Sequence, residues 1–454
     1  GQVVAATPVV VLGEISIGTL PFMSQPLPEL VAQALTVFGI VGVVNALNMS
    51  DGLDGLASGE TMLSAIAIGV LAVLAGELRA FLVVLALIGS LFGFLYFNTF
   101  PARLFMGDSG SQFLGYTLAI LAIFLVQHPM LQDVPITLGL FLVGLPIVDT
   151  ITVMWQRRRR GQALFTPTRT HLHHRLLNLG LSHSRAVIGL YAIHASFVIS
   201  GLLFYSLGEW ALVVLYFLIV VGLFSILKLA EKHPHLLPHA VSIGHDVRAE
   251  GTAVTLMPNN EPVAGRKRLW FYFLIALYAS YLLAINFIYS KQLEGYGSIG
   301  IVFLGLVLFS LSTKRQRSLT LNRLMLFGVA GITVFIMAMF PQNVSLTIFA
   351  HLDSAIVGIL LLLTLVYWED SKLEQREFNW TPFDYLLGGC FFLLLVVSLI
   401  FPASRGFVYL IAQLLILLYA SEFLLQHLPN PRWLTNPLCG SVGLILLMTG
   451  FLPQ

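Results

Sequence analysis

Residues 28–59, PELVAQALTVFGIVGVVNALNMSDGLDGLASG, decide the fold. Their first two-thirds are an apolar run near 28–49, long enough as a helix to cross a hydrocarbon core of about 30 Å. Their last third gathers asparagines, aspartates and glycines, as a chain does where it leaves the bilayer. The same alternation of apolar run and polar interruption continues along the sequence. It predicts spans near 60–76, 80–97, 111–128, 134–155, 185–206 and 209–229, and again near 269–289, 296–312, 324–341, 346–367, 383–401, 406–427 and 437–453. The expected fold is all-α, a polytopic integral membrane protein of about fourteen transmembrane helices in two bundles.

Composition agrees. Of 454 residues, 57% are hydrophobic and 10% charged, against roughly a quarter charged in a soluble domain, and the mean hydropathy is +0.88. With 24 Lys and Arg against 22 Asp and Glu, no basic surface points to a nucleic-acid partner; the expected surroundings are the lipid bilayer. Cys390 and Cys439 lie far apart in apolar segments and read as small core residues rather than as a disulfide or a metal site. Gly1 to Leu12 read as the back half of a spanning helix, so an upstream part is expected to be absent.

Basic residues in short loops orient the chain. The loop after Trp155 carries Arg157, Arg158, Arg159, Arg160, Arg169 and Arg175 and is assigned to the cytoplasm. Alternation then puts 50–59, 98–110, 230–268, 313–323, 368–382 and 428–436 on the same side, where nearly all other basic residues fall. The polar stretch 230–268 reads as a cytoplasmic linker between a membrane region 1–229 and a further multi-span region 269–454. Its four histidines fit no standard metal spacing.

Three polar clusters share that cytoplasmic face. Asn45 and Asn48 stand one turn apart at the end of an apolar helix, and Gly52 and Gly55 are expected to release the backbone into a loop holding Asp51 and Asp54. Such oxygen donors suit a hard cation such as Mg²⁺; self-capping of a helix end would account for one Asp and one Asn, but not for four residues. In Phe105-Met-Gly-Asp108-Ser-Gly-Ser111, Asp108 lies where a helix begins, either as a plain N-cap or as part of a ligand site. In Arg169-Thr-His171-Leu-His173-His174-Arg175, arginines and histidines suit a phosphate. His171 and His173 are expected on different helix faces, which argues against zinc. Arg157 to Arg160 serve equally as the topogenic charge of an inside loop. Asp149, inside its span, reads as a functional acid or a paired interfacial one. The sum is a site for a metal-bound diphosphate beside lipid.

NALNMSDGLDGLASG, FMGDSGS and RTHLHHR, in this order between spans, resemble the polyprenyl-phosphate N-acetylhexosamine-1-phosphate transferase family over about residues 1–230. The resemblance implies transfer of a sugar 1-phosphate from a UDP-sugar to undecaprenyl or another polyprenyl phosphate, with Mg²⁺ (or Mn²⁺), at the cytoplasmic face of a bacterial inner membrane. It implies Asp108 and Asn48 as metal ligands and Asp51, Asp54 and Asp108 as the catalytic centre. Asn45, Arg157, Arg160, Arg169, His171, His173 and His174 are then the substrate-binding groups. RTHLHHR is similar to the branch that uses UDP-GlcNAc for O-antigen and related glycans; the phospho-MurNAc-pentapeptide branch ranks second. A homo-oligomer is compatible with this reading.

Two departures stand out. The family carries tandem aspartates near its N-terminus, and no Asp-Asp pair occurs in these 454 residues, so the chain is expected to lack that segment, and an enzymatic parent is compatible with inactivity of the chain as given. Residues 269–454 extend past the family's usual end and hold no recognised motif. A lipid or solute transporter is the competing class, yet it expects polar groups near the bilayer midplane and a repeat between the halves. A non-catalytic scaffold is the third reading.

Overall fold

The structure, a computed structural model, describes residues 1–21, 23, 25–163, 170–233, 265–288, 297–312, 318–339, 356, 359, 382–401, 405–427 and 432–451. Among them every regular element is helical. The chain divides into two compact units, Gly1–Ala253 with Trp380–Val408, and Val254–Asn379 with Tyr409–Gln454.

The first unit contains α1 (Gln2–Leu12), α2 (Glu29–Ser50), α3 (Leu56–Leu74), α4 (Leu78–Asn98) and α5 (Gly107–Val126). There follow α6 (Leu138–Leu142), α7 (Gly144–Arg159), α8 (Leu172–Asn178), α9 (His183–Phe204) and α10 (Glu209–Lys232). Six helices are long and apolar enough to cross a membrane, namely α2 to α5, α9 with its 3₁₀ extension, and α10, and shorter apolar helices add to them in both units. The chain is a multi-pass membrane protein. The span expected near 346–367 lies almost wholly outside the described residues.

α3 is the axis of the unit: 94% of its spanning window is buried, against 11% for α10. Small residues make this burial feasible, since Ala57, Ser58, Gly59, Ala65, Ala67, Gly69 and Ala72 let neighbouring helices approach. α2 crosses α5 closely at Gly115, where a Cβ would stand 2.8 Å from Val44 Cα and 3.2 Å from Val43 O. That crossing brings the end of α2 to the start of α5. Gly115→Leu is therefore expected to destabilise the unit by about 1–3 kcal/mol through overpacking, read as a lower midpoint of thermal unfolding in detergent; an unchanged midpoint would count against this packing.

The single span expected over 134–155 is broken at Val143 into α6 and α7. Pro146 explains the break. It has no N–H to give Leu142 O, four residues back, and that carbonyl accepts instead from Ser64 Oγ of α3 at 2.6 Å. α7 then runs on to Arg159, which puts Asp149 ten residues from its end, deeper than the sequence spacing suggests.

α14 (Pro382–Ile400) belongs to the first unit, although its position in the sequence suggests the C-terminal region. It packs on α3 and α9, with Cys390 buried and free. The second unit holds α11 (Gly265–Ile288), α12 (Gly297–Ser312), α13 (Ser318–Met339), α15 (Arg405–His427) and α16 (Arg432–Phe451). α12 lies along α16, where a Cβ on Gly443 would stand 3.1 Å from Phe303 Cβ and 3.2 Å from Gly300 O. Buried polar pairs tie these helices: Asn286 Nδ2 donates to Thr333 Oγ1 at 2.8 Å, Thr435 Oγ1 donates to Asn322 Oδ1 at 2.9 Å, and Tyr278 and Ser421 share a short hydroxyl contact.

Candidate active site

Helices α2, α4 and α7 end, and α3, α5 and α9 begin, at one end of the first unit. Every described candidate residue lies there or on the helix faces leading to it. The centre is a junction between two sequence clusters. Asn48 Nδ2 donates to Asp108 Oδ1 at 3.2 Å and to Ser111 Oγ at 2.8 Å. Asp108 is thus the second residue of α5, its side chain exposed and turned to α2 rather than capping its own helix. Asn48 Oδ1 has no protein partner among the described residues.

Between α2 and α3 the chain turns through Asp51–Gly55, with Gly55 in the left-handed region at φ +83, a conformation that costs glycine nothing. Gly52 does not share that conformation. It is there for space: a Cβ at Gly52 would lie 2.5 Å from both Cε1 and Nε2 of His173. Asp54 Oδ2 accepts from Ala102 N at 2.9 Å and so holds the 99–106 loop. Burial first, then the charges of Asp108 and Asp54, push the Asp51 carboxyl up to about 6. Three acids thus crowd one another.

The histidine segment folds back onto α7. His171 precedes α8 in extended backbone, at φ −61 and ψ 155, and its Nδ1 meets Asp149 Oδ2 at 2.8 Å while Leu172 N donates to Asp149 Oδ1 at 2.8 Å. A carboxylate can only accept, so Nδ1 carries the proton. The expectation that His171 and His173 diverge is corrected: because His171 lies outside the helix, the two rings stack 5.5 Å apart at 11°, and His173 meets His174 at 4.3 Å. Both His171 and His173 are buried. Asp149 is therefore a paired acid, and the one that orients this segment.

Burial and the neighbouring His174 push His173 down to about 4, from an ordinary value of 6.5. A depressed value means that the docked ring is favoured fully above pH 6.5 and loses that stabilisation as pH falls through about 4. NMR of the labelled histidines, with His173 assigned by substitution, is expected to show it neutral at pH 5.5. Titration near 6.5 would contradict the buried placement.

Other candidates fall differently. Asn45 sits in a polar knot with α1: its Nδ2 donates to Gln2 Oε1 at 2.8 Å and to Val41 O at 2.7 Å, and Gln2 Nε2 donates to Gln112 Oε1 at 3.2 Å. Of the four consecutive arginines only Arg157 is buried, and Arg158, Arg159 and Arg160 are exposed. Arg159 stacks over Trp155 at 5.3 Å. Arg169 lies outside the described residues, as do His235, His239 and His245 of the linker.

Sequence reading missed three organisers. Asn98, buried at the end of α4, accepts from Gly55 N at 3.1 Å and Ser58 Oγ at 3.0 Å and donates to Leu104 O at 2.9 Å, which joins the two acidic loops. Tyr191 donates to Gly55 O at 2.7 Å. Glu60 accepts from Ser50 Oγ at 2.6 Å. A lone amide or carboxylate at the margin of an apolar run was the available signal for Asn98 and Glu60.

The donor set fits a hard divalent cation, because the crowded groups offer carboxylate and amide oxygens and, among the described residues, the charges acting on Asp51 are those of Asp108 and Asp54, both acidic. Among the described residues no group of three or more His, Cys, Asp or Glu forms a ready cage. Mg²⁺ needs none, since it uses one or two carboxylates with waters and substrate phosphates.

A helical membrane protein with acids, amides and histidines gathered at one end of its spans is the class that fold and site define. Residues 1–126 match the family model for glycosyl transferase family 4. The chain is 37% identical over 205 residues to a Bacillus subtilis (strain 168) protein named "Probable undecaprenyl-phosphate N-acetylglucosaminyl 1-phosphate transferase", covering 45% of this chain and 57% of that one. It is 31% identical over 262 residues to the decaprenyl-phosphate N-acetylglucosaminephosphotransferase of Mycobacterium tuberculosis (strain H37Rv), covering 51% and 63%. It is 30% identical over 191 residues to the undecaprenyl-phosphate alpha-N-acetylglucosaminyl 1-phosphate transferase of Escherichia coli (strain K12), covering 40% and 52%. The chain thus spans between 52% and 63% of the length of these three relatives.

Proposed function

We propose that the first unit transfers N-acetylglucosamine 1-phosphate from UDP-GlcNAc to a polyprenyl phosphate and releases UMP. The reaction takes place at the cytoplasmic face of a bacterial plasma membrane and opens a cell-envelope glycan pathway. The observation that carries this reading is the Asn48–Asp108 contact with Asp51 beside it and the histidine segment seated on Gly52. The names of the relatives support the same substrates.

In this reaction a lipid phosphate oxygen bonds to the β-phosphorus, the bond from that phosphorus to the bridging oxygen breaks, and UMP leaves with the electron pair. The acceptor is a phosphate monoester, already ionised near neutral pH, so what it needs from the protein is placement. Asp108 and Asn48 would hold Mg²⁺, with Mn²⁺ as substitute; bound there, the ion would supply neutralisation of diphosphate charge and stabilisation of the leaving UMP. Asp54 positions the 99–106 loop through Ala102 N. Asp51 orients the reacting phosphates by charge. His171 is held by Asp149, and with His173, His174, Arg157, Arg160 and Arg169 it engages the diphosphate.

The test is UMP release by the purified protein in nanodiscs, run on residues 1–454 and with upstream coding sequence joined ahead of Gly1. Release is expected with UDP-GlcNAc and undecaprenyl phosphate together, and to stop on EDTA treatment. Release with UDP-MurNAc-pentapeptide alone would move the protein to the other branch, and no release from either form would overturn the reading.

A further inference from the structure

Glu60 is the fifth residue of α3, 1% exposed, in a helix otherwise packed with small and apolar side chains. A carboxylate buried among apolar groups is costly, and a well-packed apolar residue would be cheaper if filling space were all that was required. Helix-end electrostatics do not account for it, since Glu60 lies beyond the first turn, where that effect fades. Among the described residues the one hydrogen bond to its carboxylate comes from Ser50 Oγ, at 2.6 Å. Ser50, 7% exposed, is the last residue of α2, two after Asn48 and one before Asp51. Among the described residues the charged groups that act on Glu60 are Asp149 and Asp51, both acidic.

We propose that Glu60 is a positioning residue for the transfer reaction: by accepting from Ser50 it fixes the last turn of α2, and with it the placement of Asn48 and Asp51 against Asp108. The carboxylate touches no substrate and acts through one hydroxyl. Asn48 reaches Asp108 across 3.2 Å and Ser111 across 2.8 Å, so a small rotation of this turn separates the groups that face the diphosphate. Displacement on the scale of 1 Å costs about 10²-fold in rate. The inference rests on the function proposed above.

The experiment compares Ser50→Ala, Glu60→Leu, Glu60→Gln and the double variant S50A/E60L in the full protein. S50A and E60L are each expected to lower kcat about tenfold with KM for UDP-GlcNAc within about twofold, since the contact supports placement rather than binding. The double variant is expected to fall no further than either single one, because both remove the same link. E60Q, whose amide oxygen also accepts from Ser50, is expected to recover activity to within about threefold of the unchanged protein. Amide exchange over Asp51–Gly55 gives a readout independent of the reaction, faster in S50A and E60L and unchanged in E60Q. An active parent whose S50A and E60L variants match it in kcat and exchange would overturn the proposal, as would additive losses or an E60Q as impaired as E60L. An inactive parent with the expected exchange pattern would remove the transfer reading while leaving Glu60 as the anchor of this turn.

Discussion

Asp108→Asn is expected to lower transfer about 10²- to 10³-fold, the range seen when one group that stabilises developing charge is lost. The substitution keeps size and hydrogen-bonding capacity, so Asn48 retains a partner at position 108 and Ser111 still receives its donor. Asp108 is exposed, so its charge in the first turn of α5 contributes no more than about 1 kcal/mol to the fold. What disappears, on the proposed function, is one negative oxygen donor for the cation and its diphosphate. The loss should therefore appear as a higher Mg²⁺ requirement together with a lower kcat, at an unchanged thermal midpoint. A D108N variant with the parent's kcat and Mg²⁺ dependence would show that the Asn48–Asp108 contact merely joins two helices.

Gly52→Ala is the second change with a large expected effect, about 10- to 100-fold in kcat/KM. Its methyl would lie 2.5 Å from two atoms of the His173 ring, a distance that forces one of them to move. The ring has little room to yield, being buried, stacked on His171 at 5.5 Å and packed at a tilt against His174 at 4.3 Å. Displacement passes to the histidine pair and to the Asp149 contact behind it. Gly52 itself is exposed and does not use a left-handed conformation, so folding should survive. The control is His173→Ala, which vacates the space: adding G52A to it should cost nothing more. Equal losses from G52A in both backgrounds would show that the clash is not the cause.

The spans and the three polar clusters were legible because each is local. A run of about twenty apolar residues needs no partner to be recognised, and Asp51, Asp54 and Asp108 stand out as acids at its edges. What joins the clusters was not legible. Asp149 and His171 are 22 residues apart, and their pairing depends on α7 running past the expected span end. The break at Val143 needed both Pro146 and the hydroxyl of Ser64, which lies 78 residues before Leu142. Asn98 reads as an ordinary span end until Gly55, Ser58 and Leu104 are seen around it. Asn45 shows the opposite difficulty. It shares a helix face with Asn48, yet one turn of displacement carries it into the Gln2 and Gln112 knot. Periodicity says which face a side chain occupies, while its role depends on the helix opposite.

In the proposed reaction the β-phosphorus of UDP-GlcNAc moves to a membrane lipid. It is tested most directly with UDP-GlcNAc labelled at that phosphorus, incubated with the protein, undecaprenyl phosphate and Mg²⁺ and then partitioned between butanol and water. Label is expected in the lipid phase, matched by unlabelled UMP in the aqueous phase, with both absent when lipid phosphate or Mg²⁺ is withheld. Label that stays in water, free or on a phosphate product, while the protein remains folded would contradict it.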